Sequence, residues 1–132
     1  MLRVVLRQPG QLAEWKKITT GVVSGLAEVE CLRTLDRLRV GRSLSADDIV
    51  LRREALYRVL AALEVLDVSP SVLRRAAQPL PTPLGTLDAI HLASAEVWRE
   101  ARKKELTVAT HDRALALAAQ ASGFQVIGTV QH

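Results

Sequence analysis

Short apolar runs alternate along this chain with amphipathic stretches of ten or more residues, and that alternation restricts the folds open to it. "GVVS" at 21–24, "EVLDV" at 64–68, "LTVAT" at 106–110 and "FQVIG" at 124–128 have the length and β-branched content of buried strands. Helical spacing fills the intervals. Leu26, Val29, Leu32 and Leu35 follow Ser24, read as a helix cap, and Ile49, Leu56, Val59, Leu60 and Leu63 follow Ser45, with Asp48 as capping-box acid. Further helices are expected over Val72–Ala77, from Thr86 to about Lys103, and over His111–Ala121 with Gly123 as the stop. "PLPTPLG" at 79–85 is a Pro-rich loop, and Leu12–Ile18 reads as a short helix. Leu2, Val5 and Leu6 suit either a helical turn or a strand before Pro9-Gly10. Strands alternating with helices predict an α/β fold, a parallel sheet with helices on both faces. In such sheets the ligand site lies beyond the carboxyl ends of the strands.

Composition bounds the rest. At 132 residues, 48% hydrophobic and 24% charged, the chain suits one domain over residues 1–132, and with 3% aromatics its core must be aliphatic. Cys31 stands alone, which excludes an intramolecular disulfide and a cysteine metal cage, and points to a reducing cytoplasm. Cys31 itself reads as a small buried hydrophobe. No apolar run approaches the roughly 18 residues of a membrane span, so no membrane partner is expected. The net charge of +4 gathers in arginine clusters such as Arg33, Arg37, Arg39 and Arg42. Those clusters suit either polyanionic partners or solvated helix faces.

"TLDAIHLASAE" and "VATHDRALALAAQ" each place an acid where an apolar segment gives way to a helix: Asp88 and Asp112. Helix-dipole stabilisation of about 0.3–1 kcal/mol would explain either one alone. Glu30 shares a stripe with Leu26 and Arg33 beside the buried face, where an unpaired carboxylate is costly, so an intrahelical pair with Arg33 or Thr34 competes with a functional role. His91 is expected to be a satisfied core histidine, Trp98 a core or interface anchor, and His111 an exposed residue beside a helix start. Strand ends and first turns would bring Glu30, Asp88 and Asp112 to one edge of the sheet. Oxygen-only ligands suit Mg²⁺ or Mn²⁺, and a cation among carboxylates suits phosphodiester hydrolysis by an activated water. No Gly-rich phosphate loop follows any strand, which leaves a small phosphorylated ligand unsupported.

These segments carry a resemblance. "TLDAIHLASA" followed by "VATHDRALALAAQASGFQVI" resembles the C-terminal half of a PIN domain of the VapC type, the ribonuclease toxins of bacterial toxin–antitoxin pairs. "VECLR" at 29–33 is similar to the helix that carries the family's second acid, and "LRQPG" at 6–10 to a segment near the family's beginning. The resemblance implies a PIN-like three-layer fold and a metal site of Asp88, Asp112 and Glu30, with Thr110 the accompanying hydroxyl. It also implies Mg²⁺ or Mn²⁺, an RNA substrate such as tRNA or another structured RNA, an antitoxin partner and a homodimer. The family opens on a strand of the form "YLDTSAL" bearing the first acid, and Met1 stands inside that pattern. Three explanations stand: a start downstream of the true one, a degenerate remnant, or replacement of the first strand by "MLRVVL". An endoribonuclease impaired by the loss of one acid is expected, with a non-catalytic remnant that binds antitoxin or RNA as the alternative.

Overall fold

A computed structural model describes residues 21–128, in which five helices and four strands succeed one another in α/β order. The expectations for Leu12–Ile18 and for "MLRVVL" fall outside those residues. Strand β1 (Gly21–Ser24) leads into α1 (Leu26–Val40) and α2 (Ala46–Ala61). Strand β2 (Leu63–Leu66) is followed by α3 (Pro70–Ala76) and the long α4 (Thr86–Arg102). Strand β3 (Thr107–Ala109), α5 (Arg113–Ala121) and β4 (Gln125–Ile127) complete the series.

The strands pair in parallel. Gly21 to Ser24 lie opposite Leu63 to Leu66, and Thr107 to Ala109 opposite Gln125 to Ile127. Among the described residues the parallel strands expected from the sequence form two pairs, β1 with β2 and β3 with β4. The backbone N–H of Thr110 continues the second pair, donating to the Ile127 carbonyl at 3.0 Å.

Local chemistry accounts for most helix starts. The Ser45 hydroxyl accepts the Asp48 N–H at 3.1 Å, and the Ser69 hydroxyl accepts the Val72 N–H at 3.3 Å. Pro70 opens α3, because the first helical position needs no N–H donor. Helix α1 departs further from expectation. Its cap position is Gly25, and the Ser24 hydroxyl instead accepts the Leu26 N–H at 3.1 Å. Its buried stripe is Ala27, Cys31 and Leu35, a four-residue spacing that turns Val29 outward to 57% exposure. Leu63, grouped by spacing with α2, lies in β2.

Helix α4 sits at the centre of the packing. Leu92 and Ala95 join Val108, Leu115, Ala118, Ala119 and Phe124 in one apolar cluster, while Ile90 and Ala93 join Val72 in another. A third cluster, Val23, Ala27, Cys31 and Leu56, holds α1 and α2 against β1. Polar contacts secure the far end of α4. The indole N–H of buried Trp98 donates to Glu64 at 3.2 Å, and Arg102 pairs with the same carboxylate. Arg75 of α3 grips Glu100 through two bonds of 2.6 and 2.7 Å, and Arg99 lies over the Phe124 ring at 3.8 Å.

Glu96, within this network, has its carboxyl held above the usual range by burial, an effect opposed by Arg75 and Arg99. The folded chain therefore keeps this proton at pH values where the unfolded chain has lost it, and ionisation of Glu96 lowers stability as pH rises through that window. Glu96→Gln is expected to melt higher than the parent near about pH 7 and to match it near about pH 4, where both side chains are neutral. A lower melting temperature at neutral pH would mean that attraction to Arg75 and Arg99 outweighs burial.

Candidate active site

A cavity of about 450 Å³ opens between α1, the start of α4 and the β3–α5 junction, and Glu30, Asp88, Thr110 and Asp112 all line it. The four residues singled out in the sequence thus come from three separate segments to one cavity. Arg33, Arg37 and His91 share its wall. A larger cavity of about 690 Å³ lies beside the Pro-rich loop, but its lining, including Leu73, Ala77, Leu80, Pro81 and Leu84, contains no titratable side chain. Of these two cavities, the smaller one carries the titratable groups that acid–base or ionic chemistry needs.

Thr110 is the buried floor. It is 1% exposed, and its hydroxyl accepts the Asp112 N–H at 3.0 Å, which fixes the turn out of β3. Gly128 presses against it from the end of β4 with φ at +95°, and a β-carbon there would lie 2.9 Å from the Thr110 carbonyl oxygen. Asp112 stands just before α5 rather than within its first turn: it is the cap, and its Oδ1 accepts the Leu115 N–H at 3.0 Å. Asp88 does lie in the first turn of α4, where the helix dipole favours a carboxylate.

Glu30 pairs with neither side chain proposed for it within its helix. Arg33 turns to Asp36, and the Thr34 hydroxyl donates to the Glu30 backbone carbonyl at 2.9 Å. The Glu30 carboxylate instead meets the Nε2 of His91, across 61 residues of chain. His91 is satisfied, as expected, but at the cleft wall and by an acid of the candidate site. Neighbouring Cys31 is a buried hydrophobe whose thiol is pushed up to about 11, first by burial and second by the Glu30 charge. His111 is exposed and contacts the Gly128 carbonyl.

The donor chemistry suits a hard divalent cation, since every acid here offers carboxylate oxygen. The arrangement is less complete. Among the described residues no three His, Cys, Asp or Glu side chains converge closely enough to hold a metal ion. Glu30 is engaged by His91, and one Asp112 oxygen is engaged by its cap. The acids share a cavity without closing a ligand set.

The His91 contact can be tested through stability. His91→Leu is expected to remove the donor facing a half-buried carboxylate and cost about 1 kcal/mol in urea unfolding, while His91→Gln, which keeps an N–H donor, recovers most of the loss. Equal losses in both variants would assign the effect to ring packing.

Comparison with known proteins agrees with the architecture. The PIN domain family matches residues 2–121 of the chain. The chain is also 37% identical over 99 residues to Ribonuclease VapC46 of Mycobacterium tuberculosis (strain ATCC 25618 / H37Rv), an overlap covering 73% of this chain and 68% of that protein. The α/β order, the parallel strand pairs and the shared acidic cleft accompany these matches, and the chain belongs to the PIN-domain family.

Proposed function

We propose that this chain is an endoribonuclease toxin of the VapC type, one domain over residues 1–132, that hydrolyses RNA phosphodiesters at the acidic cleft with weak activity. The observation that carries the reading is the shared cavity: Glu30, Asp88, Thr110 and Asp112 line it together, with arginines on the wall. Relatedness to a protein named a ribonuclease supports the same reaction class. In this reading Asp88 and Asp112 are the principal ligands of Mg²⁺ or Mn²⁺, Glu30 is a further ligand or orients water, and Thr110 is a supporting hydrogen-bonder. A divalent cation, when bound, supplies charge neutralisation at the phosphate and a more acidic water. The chain's own part is positional. Thr110 fixes the backbone of Asp112, the first turn of α4 presents Asp88, and His91 holds the Glu30 carboxylate to one side. Weak activity is part of the same proposal, in keeping with a Glu30 carboxylate that is engaged by His91. The partners proposed are tRNA or another structured RNA, a cognate antitoxin and a second copy of the chain. No described helix is long and apolar enough to cross a membrane, and a cytoplasmic site of action belongs to the same proposal.

A second reading, a PIN-like module that binds RNA or antitoxin without cleaving, is favoured by the engagement of Glu30 with His91. Mn²⁺-dependent cleavage of a mixed tRNA and structured-RNA pool separates the two. Slow cleavage is expected from the parent chain, abolished by EDTA and by Asp88→Asn. Asp112→Asn should also abolish it while keeping the helix capped, since Asn caps about as well as Asp. Cleavage that survives Asp88→Asn would sink the nuclease reading at this cleft. No product in Mn²⁺, with RNA affinity unchanged by EDTA, would establish the binding module.

A further inference from the structure

Glu30, Thr34 and Arg37 follow one another along a single face of α1, and all three line the acidic cleft. They are mechanically linked. The Thr34 hydroxyl donates to the Glu30 carbonyl at 2.9 Å and accepts from the Arg37 guanidinium at 3.2 Å. Arg37 is exposed but is thereby tethered to the cleft-lining face of α1. Its neighbours differ, because Arg33 and Arg39 both pair with Asp36. Elsewhere Arg75 pairs with Glu100 and Arg102 with Glu64, whereas among the described residues Arg37 pairs with no carboxylate. Seven residues of helix separate Glu30 from Arg37, an axial distance of about 10 Å.

We propose that Arg37, braced by Thr34, is a subsite for an RNA backbone phosphate beyond the scissile linkage. The inference rests on the nuclease reading of the cleft and adds a position along the RNA. A guanidinium offers a planar fork of donors that matches phosphate oxygens, and one anchored by a side-chain bond loses less freedom on binding. The separation from Glu30, about two helical turns, is enough for this cation to meet a different phosphate from the one at that acid.

The test is fluorescence anisotropy with a labelled single-stranded RNA oligonucleotide in EDTA, read as affinity against salt concentration. Arg37→Ala is expected to weaken binding roughly tenfold and to lower the log–log salt slope by about 0.7, the value of one lost phosphate contact on a single strand. Arg74→Ala removes the same charge from α3, outside the cleft lining, and should leave the slope near that of the parent, and thermal melts should show both variants folded. A parent-like slope in Arg37→Ala, or equal slope losses in the two variants, overturns the subsite and leaves the nuclease reading standing. Failure of the parent to bind RNA at all overturns both. Poly-L-glutamate bound as tightly as RNA, and released by Arg37→Ala, would show a site for acidic chains and also overturn the proposal.

Discussion

The close approach of other elements to α4 is the constraint on which the rest of the structure depends. Ala89, Ala93, Ser94 and Ala95 are small and buried, and Ala93 and Ala95 join the apolar clusters that neighbouring elements form against the helix. A helix packed on several sides needs such residues, because larger ones would hold its neighbours apart. Ser94 is the polar member, and its hydroxyl donates to the Ile90 carbonyl at 2.8 Å, so burial leaves no donor unmet. The first two turns of the same helix carry Asp88 and His91 into the cleft. Packing along α4 and presentation of the candidate site are thus two results of one placement.

Within the cleft, several charged groups perform structural and chemical tasks together. Asp112 caps α5, and Glu30 meets His91. Each arrangement relieves part of the mutual repulsion expected when carboxylates share a cavity. The result is a chain that can fold with its acids gathered but has not drawn three of the described groups into one coordination sphere. Such an arrangement is consistent with both proposed readings, since it keeps the nuclease chemistry and the bare binding surface close in geometry.

Much of this was legible in the sequence where a single local rule governs. Ser45 and its neighbour three residues on announced a cap, the segment from Thr86 to about Lys103 announced a helix, and β-branched runs announced strands. The family resemblance identified the acids that line the cavity. What sequence could not supply was long-range pairing. Nothing within α1 points to His91 as the partner of Glu30, because that contact depends on how two helices meet. Val29 failed for a related reason: spacing shows which residues share a face, but the choice between faces was settled by Ala27 and Cys31, residues too small to dominate a hydrophobic pattern. Asp112 was found as an acid and missed as a cap, because the helix starts at Arg113, two residues later than the His111 expected from the sequence.

Gly128 shows how little of a site is visible in its reactive groups. Its positive φ and the closeness of the Thr110 carbonyl leave no room for a side chain, and Thr110 in turn fixes the backbone of Asp112. The position of a carboxylate therefore depends on an atom that is not there. Judging related chains by their acids alone would count as intact one in which this glycine had become alanine, although its cleft floor would have to shift. The spacing around the turn carries as much of the site's identity as the carboxylates do.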